Sequence, residues 1–449
     1  MPRSANSQLW GTQIQPNGKP LGIFDQMMST TADWAAPQGK RFDAVVSLPG
    51  SKSLTNRELL LSAIASSPTK LIAPLRSRDS ELMIAALEKL GTKFEWQGDD
   101  LIVTPGVLAG DVAIDCGLAG TVMRFVPPLA MLANGEVRFD GDEGARRRPM
   151  KTTIDSLRLL GAEVSPAESL PFTVYGDGRV SGGELEIDAS SSSQFVSGLL
   201  LVAARFENGL TLTHTGKELP SMPHIEMTLK CLQDRGVKAY ALSERSWRVE
   251  PGEVSGGEVV IEPDLSNAGP FLAAAMVTGS TVVIPHWPKQ TTQVGSHYID
   301  LLSRMGAKVE LKPEGLELQG NGVVLGIDVD LSEAGELTPT IAALAALATA
   351  PSRLTGIKHL RGHETDRIAA LATEINRVGG KATELEDGLE IEPGELKPVR
   401  WESYHDHRMA TSGAIIGLRV PGLTVENIET TSKTMPEFPA LWLKMLESA

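Results

Sequence analysis

The chain has 449 residues, and its 56 acidic residues outnumber its 42 lysines and arginines, so its formal net charge is −14 at pH 7. Apolar residues make up 41% of the sequence, enough for a large core, which excludes extensive disorder. The acidic balance argues against nucleic acid or an anionic membrane as a partner, because both would repel the chain. At this length we expect two or three domains.

The N-terminal residues are polar and interrupted by glycine and proline, without the apolar stretch of an export signal. We therefore expect residues 1–42 to be a loose extension on a soluble, cytoplasmic protein. No segment reaches the ~18 uninterrupted apolar residues of a membrane span. The two cysteines, Cys116 and Cys231, predict neither a disulfide framework nor a cysteine-rich zinc module, which suits a reducing compartment.

Two kinds of helix alternate along the sequence. An amphipathic helix that ends in glycine and runs into a strand recurs five times, at Gly91, Gly161, Gly236, Gly306 and Gly379. Glycine tolerates the left-handed conformation that ends many helices. Between these segments lie more apolar helices, so the pattern predicts six α/β units of roughly 70 residues each.

The apolar helices are expected to begin at small or polar residues. In chain order these beginnings are Ser53–Asn56, Gly120–Arg124, Ser192–Phe195, Ser266–Pro270, Leu337–Thr340 and Asp406–Met409. A helix N-terminus has unpaired N–H groups and the positive end of the dipole, which favour a phosphate or carboxylate. Serine, threonine and aspartate are also ordinary helix caps, but capping does not explain the cations beside them.

Those cations recur in chain order. Lys52 and Arg57 flank a first helical turn, although the spacing is not that of a P-loop and a loop lysine is more often a solvated charge. Arg124 lies one turn into an apolar helix and needs a partner there. The triplet Arg146–Arg148 offers planar donors suited to phosphate or carboxylate. Later segments, 361–367, 405–409 and 430–436, are also rich in ionisable residues.

Four histidines, His359, His363, His405 and His407, raise the possibility of a metal site. Neighbouring arginines and lysines would oppose a divalent cation, and the His-Glu-x-x-His pattern is missing, so we expect no metal. The sequence also lacks a Gly-x-Ser-x-Gly elbow, which leaves covalent nucleophilic catalysis unsupported.

Six of these segments, in this order, resemble the 5-enolpyruvylshikimate-3-phosphate synthase family. They are Pro49–Ser53, Ala119–Arg124, Ser192–Phe195, His363–Arg367, Asp406–Met409 and Ser432–Pro436. The resemblance spans about residues 43–445 and implies an α/β fold of two similar domains, each with three βαβαββ units. It places residues 43–50 and 264–449 in the first domain and 51–263 in the second, with the active site between them.

The resemblance implies that the 5-hydroxyl of shikimate 3-phosphate adds to phosphoenolpyruvate and that phosphate is then eliminated, without a cofactor. The residues expected to bind phosphoenolpyruvate are Lys52, Gly120, Arg148, Gln194, Arg367, Arg408 and Lys433. Those expected to bind shikimate 3-phosphate are Lys52, Ser53, Arg57, Ser192, Ser193, Ser221, Glu336 and His363. Further cleft residues are Thr121, Arg124 and His407. The expected catalytic residues are Glu336, Glu364 and Lys52.

The sequence departs from the common family pattern at several positions. His363 stands where lysine is common, His224 where tyrosine is frequent, Leu118 and His359 where asparagine is common, and Glu336 where aspartate is frequent. Small molecules are the expected partners, the expected state is a monomer, and the family inhibitor glyphosate is expected to bind because Gly120 leaves room.

Two alternative functions stay open at this point. One is an enolpyruvyl transferase for UDP-N-acetylglucosamine, a family with a cysteine in a mobile loop. Here Cys116 and Cys231 are predicted at a strand end and in an amphipathic helix. The other is a non-catalytic anion-binding protein with the same fold.

Overall fold

The structure, a computed structural model, describes residues 33–448, whose strands form six small sheets. Five sheets have four strands and share one arrangement. A first strand runs parallel to a second, and the second pairs antiparallel with the inner strand of a hairpin, which is the later of its two strands in the chain. In three of these sheets the four strands follow one another in the chain and a helix follows each of the first two, which gives the predicted βαβαββ unit. In the other two, the first strand is Gly257–Val260 or Asp43–Val45, which lies far in the chain from the three strands that it joins.

The sheets divide into two groups of three. In the first group, one sheet contains, in spatial order, Gly257–Val260, Thr69–Ile72, Asp100–Thr104 and Lys93–Gln97. The next sheet contains Val112–Asp115, Asn134–Asp140, Phe172–Asp177 and Glu163–Val164. The last contains Gly183–Ile187, Leu210–His214, Ser246–Val249 and Ala239–Ser243. In the second group, one sheet contains, in the same order, Lys308–Lys312, Gly315–Gln319, Thr281–Pro285 and Asp43–Val45. The next sheet contains Asp328–Asp330, Ser352–Thr355, Leu389–Glu392 and Lys381–Glu384. The three-stranded sheet contains Trp34–Ala35, Thr424–Val425 and Arg400–Trp401.

Six helices are almost wholly buried and correspond to the predicted apolar helices. They are Lys52–Ala63, Gly120–Ala130, Gln194–Val202, Gly269–Thr278, Thr338–Ala346 and His407–Gly417. Amphipathic helices cover the outside, namely Arg78–Lys89, Lys151–Leu159, Met222–Asp234, Tyr298–Arg304, Arg367–Arg377 and Phe438–Glu447. The short helices are Glu143–Arg146 and the 3₁₀ turns Ala203–Arg205, Leu265–Ala268, Val294–His297, Gly335–Leu337, Lys358–Gly362 and Ile428–Lys433.

The five glycines predicted to end amphipathic helices all have positive φ. The angles are between 79° and 107° at Gly91, Gly161, Gly236, Gly306 and Gly379. Each glycine follows one of the outer helices and precedes a strand, so this part of the prediction is confirmed. A residue with a side chain would be strained at these positions.

Two separate hydrophobic cores underlie the two groups of sheets. One core draws its residues from 59–254, and the other from 36–46 and 265–446. The chain crosses between them twice, and the crossing segments touch, because Gly50 and Pro263 form an isolated antiparallel bridge. These observations support the predicted crossings near Gly50 and Pro263–Asp264, which we propose as the domain boundaries.

The predicted extension needs a correction at its C-terminal end. Trp34 and Ala35 pair antiparallel with Val425 and Thr424, and Phe42 is buried in the first-domain core. Residues 33–42 are therefore packed rather than loose. Residues 1–32 lie outside the described residues. Among residues 33–448, every helix is too short or too polar to cross a membrane.

A buried ion pair stabilises the second domain. The Nε of Arg235 donates to Glu58 Oε2 at 2.9 Å, and its Nη2 lies 2.8 Å from the same oxygen. Both side chains are at most 5% exposed. The remaining Arg235 donors reach Thr69, Ser62 and the carbonyl of Ser255. Three segments of the second domain therefore meet at one guanidinium.

We predict that Arg235→Met lowers the free energy of unfolding by about 3–5 kcal/mol, because it leaves the carboxylate of Glu58 buried and unpaired. Urea denaturation measures this change. Lys230→Met, on the same helix, removes an exposed ion pair with Asp234 and should change stability by less than about 1 kcal/mol. Equal effects of the two substitutions would contradict the prediction.

Candidate active site

A cleft of about 1000 Å³, counted with its open mouth, lies between the two cores. It is bounded by the starts of helices from both domains. Every residue assigned to a site from the sequence lines it: Lys52, Ser53, Arg57, Gly120, Thr121, Arg124, Arg148, Ser192, Ser193, Gln194, Ser221, Glu336, His363, Glu364, Arg367, His407, Arg408 and Lys433.

Helix N-termini position these side chains because the capping groups sit beside them. Ser51 caps the helix that begins at Lys52, and its hydroxyl accepts the Leu54 N–H at 3.4 Å. Asp366 caps the helix that begins at Arg367, accepting from the Ala369 N–H at 3.1 Å. The N–H groups of these helix starts add to the positive potential of the cleft.

Backbone contacts join the two walls. Ser221 has a left-handed conformation, with φ of 56°, at the start of helix Met222–Asp234. Its N–H donates to the carbonyl of Ser332 on the opposite wall at 3.3 Å. His224 Nε2 lies 3.9 Å from Glu336 Oε1, also across the cleft. The two walls of the cleft therefore touch at Ser221 and Ser332.

Arg57 is held by its own domain. Its donors reach Thr228 Oγ1 and the carbonyls of Ser53 and His224, each at 2.9 Å. The guanidinium carbon lies 5.3 Å from the centre of the Phe125 ring. Burial lowers the pKa of Arg57 to about 10, so it still carries its charge at pH 7. The cation is therefore fixed in place before any ligand arrives.

Gly120 lies directly beside two guanidinium groups. A Cβ at this position would lie 3.0 Å from Arg124 Nη1 and 3.0 Å from Arg148 Nη2. Arg148 Nη1 donates to the carbonyl of Leu118 at 3.2 Å, so the leucine contributes its backbone rather than its side chain. The Nε atoms of Arg124 and Arg148 are buried without a hydrogen-bond partner in the described residues. An anionic ligand here would meet two closely spaced cations.

Glu336 lies in the turn before helix Thr338–Ala346. Its Oε1 accepts from the Ser266 hydroxyl at 2.6 Å, and its Oε2 lies 3.2 Å from Arg408 Nη2. Burial raises the pKa of this carboxyl, but Arg408, His224 and the Ser266 hydrogen bond outweigh that effect and bring it to about 2. Glu336 is thus ionised at neutral pH and able to accept a proton.

A second carboxylate, Glu364, bridges two cations. It contacts Lys433 Nζ through Oε1 and accepts from Arg367 Nη2 at 3.0 Å through Oε2. Burial raises its pKa, but Lys433 and Arg367 together hold it well below its usual range. Arg367 is also bound by Asp406, at 2.7 Å from Nε and 3.2 Å from Nη2.

Lys52 faces a carboxylate, Asp79, that the sequence did not indicate. Its Nζ lies 3.8 Å from Asp79 Oδ2, and Asp79 is buried in the first turn of helix Arg78–Lys89. Burial lowers the pKa of Lys52, and Asp79 partly opposes that shift. An acidic residue in a first helical turn is so common that nothing in the sequence marked Asp79 as part of the site.

Histidines occupy four positions of the cleft wall. Burial lowers the pKa of His224 and of His359 to about 4, and the pKa values of His363 and His407 are also well below the ordinary range. His363 therefore does not supply the charge of the lysine common at its position in the family. Within residues 33–448, no three histidine, cysteine or acidic side chains are grouped so that they could hold a metal ion.

Neither cysteine offers a reactive thiol to the cleft. Cys116 and Cys231 are free and buried, and burial raises the pKa of Cys116 to about 12 and that of Cys231 well above its ordinary value. A thiolate nucleophile requires the opposite shift.

Comparisons with known proteins agree on one family. The family model described as EPSP synthase (3-phosphoshikimate 1-carboxyvinyltransferase) matches residues 37–442. A curated relative from Kocuria rhizophila, named 3-phosphoshikimate 1-carboxyvinyltransferase, is 55% identical over 430 residues, which cover 92% of this chain and 97% of the relative.

Solved structures show the same architecture. An EPSP synthase from Acinetobacter baumannii has a TM-score of 0.78 and 25% identity, covering 93% of this chain and 98% of its own. The enolpyruvyl transferase NikO from Streptomyces tendae, at 15% identity, shares the fold with a TM-score of 0.71, covering 92% of this chain and 96% of its own. The chain therefore belongs to the EPSP synthase (3-phosphoshikimate 1-carboxyvinyltransferase) family.

Proposed function

We propose that the cleft catalyses transfer of the enolpyruvyl group of phosphoenolpyruvate to the 5-hydroxyl of shikimate 3-phosphate, with release of phosphate. Family membership and the curated relative support the reaction. The observation that supports this location is that six separate sequence segments, from both domains, line one cleft.

The charges of the cavity suit these substrates. The two molecules together bring two phosphates and two carboxylates into one site, and such anions require cations and N–H donors in place of water. The cationic side chains that line the cleft are Lys52, Arg57, Arg124, Arg148, Arg367, Arg408 and Lys433. Only three carboxylates, those of Asp79, Glu336 and Glu364, share its lining among the described residues.

Phosphoenolpyruvate is assigned to the side of the cleft near Gly120. Arg148 and Gln194 reach it from the second domain, and Arg367, Arg408 and Lys433 from the first. Arg124 supports this side, because its Nη1 lies 3.4 Å from Gln194 Oε1 and orients that amide.

Shikimate 3-phosphate is assigned to the serine-rich side. Ser192, Ser193 and Ser221 lie at the starts of two helices, where hydroxyl and N–H groups suit its phosphate. Arg57 and Ser53 complete this side, and Glu336 faces it across the cleft.

In the addition step, the 5-hydroxyl oxygen forms a bond to C2 of phosphoenolpyruvate, and its proton goes to the ionised Glu336. The electron pair of the C2–C3 double bond takes a proton from the Lys52 ammonium, whose lowered pKa favours its release. The product is a tetrahedral intermediate that still carries the phosphate.

In the elimination step, the C2–O bond to phosphate breaks while Glu364 accepts a proton from C3, which restores the double bond. The proton held by Glu336 passes to the departing phosphate, and that of Glu364 returns to Lys52. Every group then regains its starting state, and the reaction needs neither an oxidant nor a reductant.

We also propose that the enzyme acts in the cytoplasm as a monomer. The cleft is built from a single chain, and both cysteines are free thiols. Light scattering at micromolar concentration tests the monomer, and a dimer mass would contradict it.

The reaction itself gives the first prediction. Purified protein supplied with shikimate 3-phosphate and phosphoenolpyruvate should release inorganic phosphate without added metal, which a colorimetric phosphate assay measures. No turnover with these substrates, or turnover only with UDP-N-acetylglucosamine as acceptor, would refute the proposed function.

We predict that Glu336→Gln lowers kcat by about 10²–10⁴ while both substrates still bind, because the amide keeps the shape but cannot accept the proton. Steady-state kinetics and calorimetry measure the two effects. Glu333→Gln, at an exposed residue of the same loop, is the control and should leave kcat unchanged. Turnover near the wild-type rate in Glu336→Gln would exclude its role as base.

The space at Gly120 gives a third prediction. Gly120→Ala should raise KM for phosphoenolpyruvate by about tenfold and weaken inhibition by glyphosate, since the methyl group displaces the guanidinium groups of Arg124 and Arg148. Inhibition kinetics with phosphoenolpyruvate as the varied substrate measure both effects. Gly252→Ala, at an exposed position with open space around its Cβ and no positive φ, should change neither constant.

A further inference from the structure

A strained turn precedes the helix that carries Arg408. Tyr404 and His405 have φ values of 54° and 55°, and the Asp406 N–H donates to the carbonyl of Ser403 at 2.9 Å. Two consecutive left-handed residues closed by this hydrogen bond make a type I′ turn, which glycine, asparagine and aspartate favour. Tyrosine and histidine adopt it only at an energetic cost, so their surroundings must hold the turn.

The side chain of Tyr404 anchors this turn. Its hydroxyl donates to Glu374 Oε1 at 2.8 Å, and Glu374 is fully buried. That carboxylate also accepts from the Glu402 N–H at 3.1 Å and from Arg377 Nη1 at 2.7 and 2.9 Å. The acceptor is thus fixed by bonds that do not involve the turn.

A second anchor lies at the start of the turn. The Ser403 hydroxyl donates to Glu426 Oε2 at 2.6 Å, and its N–H donates to the same oxygen at 3.2 Å. Both anchors leave the exposed His405 outside the network. These hydrogen bonds of Tyr404 and Ser403 explain why the left-handed backbone of the turn is stable.

The turn delivers Asp406 to the cleft wall. Asp406 is fully buried, receives both bonds from Arg367 described above, and caps the next helix by accepting the Arg408 N–H at 2.9 Å. One turn therefore sets the positions of two cleft arginines. Glu374 lies on the same helix as Arg367, so the Tyr404 hydroxyl links both helices.

We propose that Tyr404 is a positioning residue for phosphoenolpyruvate: its bond to Glu374 holds the turn Ser403–Asp406 and, through Asp406, the guanidinium groups of Arg367 and Arg408. This proposal rests on the function proposed above. The serine-rich side, assigned to shikimate 3-phosphate, belongs to the other domain. Glu336, which faces that side, accepts from the Ser266 hydroxyl at 2.6 Å as well as from Arg408, so a shift of Arg408 leaves one of its two anchors in place.

Tyr404→Phe tests the proposal, because it removes only the hydroxyl. We expect KM for phosphoenolpyruvate to rise about tenfold, with KM for shikimate 3-phosphate changed by less than about twofold. Tyr240→Phe is a matched control, since Tyr240 makes an equivalent bond to Glu250 on the surface of the second domain, at 2.9 Å. It should change neither constant.

A rescue variant separates positioning from a general structural role. His405→Gly places a residue that adopts positive φ readily in the turn, so the double variant Tyr404→Phe, His405→Gly should recover most of the wild-type KM for phosphoenolpyruvate. His405→Gly alone should leave both KM values unchanged. An unchanged KM for phosphoenolpyruvate in Tyr404→Phe, equal rises in both KM values, or no recovery in the double variant would overturn the proposal.

The proposed function and this inference fail separately. If the wild type releases phosphate and Tyr404→Phe behaves like it, only the positioning role is wrong. If the wild type shows no turnover, the function is wrong, and calorimetric titration with phosphoenolpyruvate and with inorganic phosphate decides the inference. Equal affinities of wild type and Tyr404→Phe would then overturn it.

Discussion

The ion pair of Asp406 with Arg367 is the interaction on which the first-domain wall of the cleft depends. Both side chains are at most 2% exposed, and removing Arg367 would leave Asp406 buried without its arginine, while removing Asp406 would leave Arg367 with Glu364 as its one carboxylate partner among the described residues. The pair ties the start of one helix to the start of another, with Glu364 and Lys433 attached to it. Mutual repulsion among the cleft cations is thereby offset while enough positive charge is left to bind anions.

The same balance explains the protonation states. Burial raises the pKa values of Glu336 and Glu364, yet neighbouring cations outweigh burial and lower both pKa values below their ordinary range. For the histidines, no nearby carboxylate raises the pKa enough to outweigh burial, so their pKa values fall. A cleft rich in cations therefore keeps its own carboxylates ionised and leaves its imidazoles neutral.

Much of the fold was readable from the sequence. The glycine-terminated helices and the polar beginnings of the apolar helices predicted six α/β units, because both signals are local and depend on backbone conformation. The sixth unit differs from the pattern: the strand that pairs antiparallel with Thr424–Val425 comes from Trp34–Ala35, far away in the chain. Such non-local pairing leaves no local signal, so residues 33–42 were mistaken for a loose extension.

For the site, the residues alone indicate which cations and carboxylates are available, since their segments resemble those of one family in order. The contacts that each group makes depend on how distant segments pack in the fold. The structure shows that Asp79 faces Lys52, that Ser266 and Arg408 hold Glu336, and that Tyr404 braces a left-handed turn through Glu374. These partners lie 27 to 72 residues apart, except for Tyr404 and the turn it belongs to, and each contact forms where distant segments of one domain pack together.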